Sequence, residues 1–204
     1  MWYCISKRAL DLFVSLLAII LLSPVFLLVA IFVLVKDGRP VLYLQDRVGL
    51  DGRRFRIVKF RSMIAEEKRE PVAYADETWK NGVPDDFVFK RTGDSNVTKT
   101  GNFLRKYSLD ELPQFFNVLG GSMSIVGPRP EIPAIADYYN ESQRRRLSVK
   151  PGITGWAQVN GRSILNNGRK MECDMQYVAR RSFFFDLRII CITIMQAVRG
   201  QDAV

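Results

Sequence analysis

The sequence predicts an α/β protein, mostly helical with one small β-hairpin, held to a membrane by its N-terminal segment. Three features predict this. Residues 12–35 are 24 positions without a charge. Residues 41–60 alternate apolar and polar around Gly49-Leu50-Asp51-Gly52. From residue 101 onward apolar residues recur at helical spacing, and they end in a greasy stretch that carries charges.

The first segment, as a straight helix, would extend about 36 Å at roughly 1.5 Å per residue, enough for a hydrocarbon core of about 30 Å. Only Ser15, Ser23 and Pro24 interrupt its apolar character. The run is too long for a signal peptide and no small-residue cleavage site follows, so it is expected to stay in the mature protein. Pro24 has no N–H to donate and clashes with the preceding turn. Ser23 can bond back to a carbonyl four residues earlier, which favours a bend. Lys7 and Arg8 precede the segment; Lys36, Arg39 and Arg47 follow it. Cations on both flanks suit a hairpin that enters and leaves by one face. A kinked spanning helix accounts for the same residues, and these features leave both open.

Val41-Leu42-Tyr43-Leu44 and residues 55–60 read as two strands joined by the Gly49–Gly52 turn. Residues 66–99 hold eight acidic and six basic residues, net −2, while the remainder of the chain carries +11. Gly82, Pro84 and Gly93 punctuate that stretch, which reads as a polar excursion with one short helix. Residues 101–125 read as helix in two pieces. Residues 131–147 read as a surface helix with Ile132, Ile135, Ala136 and Tyr139 on one stripe. Residues 150–162, rich in Gly and Pro, read as loop, and 169–199 as helix. The stretch from Phe183 to Met195 is too short and too charged to span, and suits a helix that lies in the interface or packs under the domain.

Composition removes several chemistries. The chain has 204 residues, 30 Lys and Arg against 21 Asp and Glu, and no histidine. A Ser-His-Asp triad, a Cys-His dyad and His-ligated zinc are thereby excluded. Three cysteines without a CxxC pair support neither a disulfide scaffold nor a structural zinc site.

What remains is carboxylates among cations. Ser108-Leu109-Asp110-Glu111-Leu112-Pro113-Gln114 sets two adjacent carboxylates between apolar residues. Ser108 and Glu111 have capping-box spacing, but Pro113 prefers the first helical position. A helix starting near Pro113 puts Asp110 and Glu111 just ahead of it, with Arg105 and Lys106 shortly before. Lys59-Phe60-Arg61 sets two cations on one strand face. Gly127-Pro128-Arg129-Pro130 is a stiff turn presenting Arg129. Arg144-Arg145-Arg146 reads as a patch facing lipid headgroups. Such parts suit phosphoryl chemistry, in which cations hold phosphates and a carboxylate attacks or binds a metal.

Taken in order, these pieces resemble the monotopic phosphoglycosyl transferases, also called the bacterial sugar transferase family. The resemblance is carried by Lys7-Arg8-Ala9-Leu10-Asp11, Ser23-Pro24, Lys59-Phe60-Arg61-Ser62-Met63, Phe103-Leu104-Arg105 and Ser108 to Gln114. It continues through Phe116-Asn117-Val118-Leu119, Gly127-Pro128-Arg129-Pro130, the stretch from Lys150 to Arg162, and the surroundings of Asp174 and Tyr177. Such enzymes move a sugar 1-phosphate from a UDP-sugar to polyprenyl (undecaprenyl) phosphate and release UMP.

The resemblance implies a re-entrant membrane helix over 1–36, broken at Ser23 and Pro24, and a catalytic domain over 37–204 at the membrane interface. It places the protein on the cytoplasmic face of the bacterial inner membrane, in contact with phospholipid. It implies that Asp110 is the nucleophile, forming an aspartyl-phosphosugar, with Glu111 its partner and Mg²⁺ bound between this pair and the diphosphate. Lys59 and Arg105 would grip phosphate. Pro128, Arg129 and Pro130 would help hold the nucleotide, and Arg162 and Asp174 would lie near the site. No nucleic acid is expected, and a homodimer is left open. Asp94-Ser95-Asn96-Val97 and Ser163-Ile164-Leu165-Asn166-Asn167 depart from the family's pattern, which leaves the sugar undefined. Two other classes fit parts of the chain: a basic membrane-docking module, and a membrane phosphatase using Asp110 and water.

Overall fold

The computed structural model describes residues 2–64, 79–88, 96–161 and 165–199. Two helices open the chain, α1 (Trp2–Leu21) and α2 (Ser23–Asp37), bent by 62° at the break between them. Pro24 sits in the first turn of α2, where its missing N–H costs nothing. The Ser23 hydroxyl donates to the Ile20 carbonyl at 2.8 Å, three residues back rather than four. Among the described residues no single helix is long and apolar enough to cross a membrane, while the bent pair together has the length and composition.

One face of α1 is fastened to the body of the protein by its polar residues. Lys7 Nζ donates to the Val126 carbonyl and to Asp186, both at 2.9 Å. Arg8 donates to the carbonyls of Val118 and Leu119 at 2.8 and 2.9 Å. Asp11 Oδ1 accepts from Ser124 Oγ and the Ile125 N–H, both at 2.9 Å. These residues recur at three- and four-residue spacing, and so share a helix face. Two of the flanking cations on which the hairpin argument rested are therefore tied inward. Arg47 is also engaged, with Gln45 and the Pro130 carbonyl. Lys36 and Arg39 are exposed. Arg61 does not share a task with Lys59: it donates to the carbonyls of Asp37, Gly38 and Arg39, closing the C-terminal end of α2.

Strands β1 (Leu42–Val48) and β2 (Arg54–Phe60) form the expected antiparallel hairpin, in register from Leu42 opposite Phe60 to Val48 opposite Arg54. The Asn117 side chain completes the outer edge of β2, accepting from Val58 N–H at 2.9 Å and donating to the Arg56 carbonyl at 2.8 Å. The two helical pieces after residue 98 are α3 (Lys99–Lys106) and α4 (Gln114–Leu119). A second sheet, not foreseen, pairs β3 (Ser124–Val126) in parallel with β4 (Gly152–Thr154). Its strands are only three residues long, too short to show alternation. They approach closely: a Cβ at Gly152 would lie 2.1 Å from the Gly127 nitrogen.

Residues 131–147 are not one surface helix. They form α5 (Pro133–Ala136), α6 (Glu141–Arg144) and a 3-10 turn (Arg145–Ser148). Asn140 restarts the chain with a reciprocal cap to Gln143. The stripe of Ile132, Ile135, Ala136 and Tyr139 is buried, in a cluster with Val48, Val83 and Met171. Arg146 departs from the headgroup patch, its side chain being 5% exposed, whereas Arg144 and Arg145 are exposed. Of the acidic excursion, residues 79–88 are pinned to this cluster. Val83 exchanges hydrogen bonds with the Gln143 amide at 3.1 and 2.7 Å.

After β4 come α7 (Trp156–Val159), α8 (Asn167–Arg180) and α9 (Phe183–Arg199). Ile189 of α9 packs with Ile57, Val118, Met123, Val126 and Tyr177 in the central core. Phe184, Ile194 and Met195 on the same helix are exposed. Asp186 is buried with Lys7 and the Tyr177 hydroxyl as partners, so its charge faces the core rather than water.

Candidate active site

Three elements converge at one end of the β1–β2 hairpin. Lys59 lies near the end of β2. Asp110 and Glu111 occupy a 3-10 turn (Leu109–Glu111). Arg129 sits on the turn after β3. Ser108 enters the 3-10 turn in the left-handed region, at φ 53°, and its side chain makes no capping bond. The capping-box alternative is thereby removed, and the helix starts directly after Pro113 as its preference suggests. Gly101 lets α3 lie against the chain leaving β2, since a Cβ there would stand 1.9 Å from the Ser62 carbonyl oxygen. Arg105 at the end of α3 donates to Ser62 Oγ at 3.1 Å.

The two carboxylates are treated differently. Glu111 Oε1 accepts from Lys59 Nζ at 2.8 Å and from Arg129 Nη2 at 2.6 Å. Its Oε2 has only a long 3.5 Å contact with Arg129 Nη1. Burial alone would raise the Glu111 pKa, but Arg129 and Lys59 together hold it well below the usual carboxylate range. Asp110 is 6% exposed, and among the described residues no hydrogen bond or ion pair reaches its carboxylate. Burial raises its pKa, the Glu111 charge raises it further, and Lys59, Arg105 and Arg129 only partly offset this. Lys59 is lowered by burial against the pull of Glu111. Arg129 is raised, first by Glu111. Its side chain is 55% exposed, so the cation stands open to a ligand.

The Pro128-Arg129-Pro130 turn is fixed from behind. The Gly152 N–H donates to the Pro128 carbonyl at 2.9 Å, and Val48 N–H to the Glu131 carbonyl at 2.9 Å. Arg146 Nη2 donates to the Arg129 carbonyl at 3.0 Å. The same nitrogen lies 2.8 Å from Asp174 Oδ2. Asp174 is 1% exposed and its pKa is raised by burial. It thus lies behind the turn and below the surface, linked to the Arg129 backbone through Arg146. Arg162 lies outside the described residues.

The structure therefore brings together Lys59, Asp110, Glu111 and Arg129, and places Arg105 within electrostatic reach of Asp110. The sequence reading missed Arg146, Glu131 and Asn117. No local signal marks Arg146 as different from its two arginine neighbours. Among the described residues no three or more acidic or cysteine side chains cluster as a metal cage. The donor set suits a cation that takes one or two carboxylates and completes its shell from phosphate and water. Asp110 is unbonded and Glu111 Oε2 keeps accepting capacity.

Comparison with known proteins identifies the family. The chain is 41% identical over 194 residues to a Bacillus subtilis (strain 168) protein named uncharacterized sugar transferase EpsL, covering 95% of this chain and 88% of that one. It is 40% identical over 205 residues to the UDP-glucose:undecaprenyl-phosphate glucose-1-phosphate transferase of Escherichia coli (strain K12), covering 97% of this chain and 41% of the relative. It is 40% identical over 207 residues to galactosyl transferase CpsE of Streptococcus agalactiae serotype III (strain NEM316), covering 98% and 44%. The chain thus spans most of the first relative and less than half of the other two. A family model described as bacterial sugar transferase matches residues 2–200, and the chain belongs to that family.

Proposed function

We propose that this chain transfers a sugar 1-phosphate from a UDP-sugar to polyprenyl phosphate at the cytoplasmic face of the bacterial inner membrane, as the first membrane step of glycan assembly. The observation that carries the reading is the unequal pair. Glu111 is held ionised by two cations, while Asp110 is buried, raised in pKa and without a hydrogen bond among the described residues. A carboxylate without hydrogen bonds keeps its lone pairs for attack.

In this reading an Asp110 oxygen attacks the sugar-bearing β-phosphorus. The bond from that phosphorus to the bridging oxygen breaks, and UMP leaves with the electron pair. An oxygen of the lipid phosphate then attacks the aspartyl phosphate, restoring the Asp110 carboxylate and giving the polyprenyl diphosphate sugar. Lys59, Arg105 and Arg129 meet the charge that develops on the phosphoryl oxygens. Mg²⁺ would be held by Asp110 and Glu111 together with the diphosphate, and would supply neutralisation of phosphate charge. Names of relatives that pair UDP-glucose with undecaprenyl phosphate support this donor and acceptor class.

The exposed apolar residues of α1 and α2, among them Phe13, Ile20, Leu21, Leu27, Leu28 and Val35, support a re-entrant seat in one leaflet. That seat would put the site at the depth of a lipid phosphate. The test is intact-protein mass after mixing detergent-solubilised enzyme and Mg²⁺ with a panel of UDP-sugars, without lipid. The expected result is an adduct of one phosphosugar, absent in Asp110→Asn. UMP release only when polyprenyl phosphate is present, with no adduct, would replace the covalent route by direct transfer.

A further inference from the structure

We propose that Arg146 is a positioning residue that aims Arg129 at the reacting phosphates; this rests on the function proposed above. Arg129 reaches forward to Glu111 at 2.6 Å, and its own guanidinium is more than half exposed. Among the described residues its hydrogen-bonded side-chain partner is Glu111, so its direction is set by Glu111 and by the backbone from which it projects. Pro128 and Pro130 restrict that backbone, and Arg146 Nη2 anchors the carbonyl between them at 3.0 Å.

Arg146 is itself fixed on several sides. Its Nη2 donates to the Arg129 carbonyl and forms an ion pair with Asp174 Oδ2 at 2.8 Å, a contact that is not aligned as a hydrogen bond. Its Nη1 donates to the Tyr139 hydroxyl and lies 3.5 Å from Glu131 Oε2. A buried ion pair is a poor source of stability compared with apolar packing. One that ends on the backbone of a site residue has a positional use. In this reading Asp174, sealed from solvent, acts on the reaction only through Arg146. Lysine at position 146 keeps the charge for Asp174 but not the planar fork that reaches the Arg129 carbonyl and the Tyr139 hydroxyl together.

The experiment is a double-mutant cycle on donor turnover, with Arg146→Lys, Arg129→Ala and the pair together, each normalised to folded protein. The expected result is a loss of about tenfold or more in kcat/KM for the UDP-sugar in Arg146→Lys, the scale of a displaced positioning group. In the Arg129→Ala background the same change costs less than about twofold, because the group it positions is gone. Losses that multiply would overturn the proposal, since a merely architectural role lowers both backgrounds alike. Full activity in Arg146→Lys would also overturn it. If that variant fails to fold, Asp174→Asn, of equal shape, carries the same cycle. If the unmodified enzyme turns over no UDP-sugar, the transfer reading fails by itself. The cycle is then read on UDP affinity by calorimetry, with the same criteria.

Discussion

Two clusters of opposite charges meet at Arg129, and they are built alike but finished differently. In front, Glu111 lies between Lys59 and Arg129, with Asp110 beside it and without a bonded partner among the described residues. Behind, Arg146 lies among Asp174, Glu131 and Tyr139, and every one of these touches it. The rear cluster is closed, with Arg146 and Asp174 at 5% and 1% side-chain exposure. The front cluster ends in a half-exposed arginine and holds one carboxylate against its preference. In the rear cluster the buried Asp174 charge is paired with the Arg146 cation, although its two oxygens accept no hydrogen bond, and such a paired cluster holds a shape. A cluster with one group left unmatched keeps that group for chemistry, and the cost falls on stability.

The sharpest way to break this comparison is Asp110→Asn. Loss of the adduct and of transfer by about 10³-fold or more is expected, because the nucleophile is removed. The same change should raise thermal stability by about 0.5–2 kcal/mol, since it deletes a buried charge that burial and Glu111 both disfavour. The sign with pH follows. A raised folded-state pKa stabilises at low pH, and that contribution is lost as pH rises through it. The gain in Asp110→Asn should therefore be largest near neutral pH and fade in acid. A variant less stable than the parent at pH 7 would show that Asp110 is a matched group after all.

Glu111→Gln is expected to have the next largest effect and the opposite sign in stability. It leaves Lys59 and Arg129 facing each other without their shared carboxylate. A loss of about 1–3 kcal/mol follows, less than for a fully buried pair because Arg129 is half exposed. The depressed folded-state pKa of Glu111 means its contribution is full above the unfolded value of about 4.3, and is lost only as pH falls through the lower folded value. The activity that survives should persist to lower pH than in the parent, since removing the Glu111 charge lowers the Asp110 pKa. Melting curves and single-turnover rates between about pH 4 and pH 8 read both signs. An acid limb moved upward would contradict the coupling of the two carboxylates.

A smaller effect tests the fastening of α1 to the body. Asp11→Asn keeps the size of the side chain but gives up the charge that accepts from Ser124 Oγ and Ile125 N–H. A loss of about 1–2 kcal/mol in stability is expected, with kcat of the folded fraction unchanged. A change in kcat at constant stability would tie the N-terminal helix to the site itself.

The hairpin, the broken N-terminal helix, the start of α4 and the adjacent Asp110 and Glu111 were legible in the sequence, each through a local rule: alternation, proline preference, or charge set among apolar residues. Lys59 and Arg129 were joined to that pair only through the family resemblance. The parallel β3–β4 pair, the Asn117 cover on β2 and the burial of Arg146 were not legible. Each depends on a partner tens of residues away, such as Gly152 for Ser124, Arg56 for Asn117, or Asp174 for Arg146. Lys7 and Arg8 show the same limit from the other side. They read as charges flanking a membrane segment, and they serve as hydrogen-bond donors to the ends of β3 and α4.

The Arg144-Arg145-Arg146 run gives the finest test of that limit, because composition makes its members equal and the fold does not. Arg145 is exposed and makes no side-chain bond among the described residues. Arg145→Ala should change stability by no more than about 0.5 kcal/mol, as for surface positions generally. It should leave kcat/KM for the soluble donor unaltered. Its one expected effect is on vesicles rich in anionic lipid, where a single cation near the surface is worth on the order of 1 kcal/mol of binding and is screened by salt. Arg146→Ala, one residue on, should lose far more stability by leaving Asp174 buried without its cation. Equal losses at the two positions, measured by thermal melting in the same detergent, would mean that Arg146 is not sealed in the rear cluster.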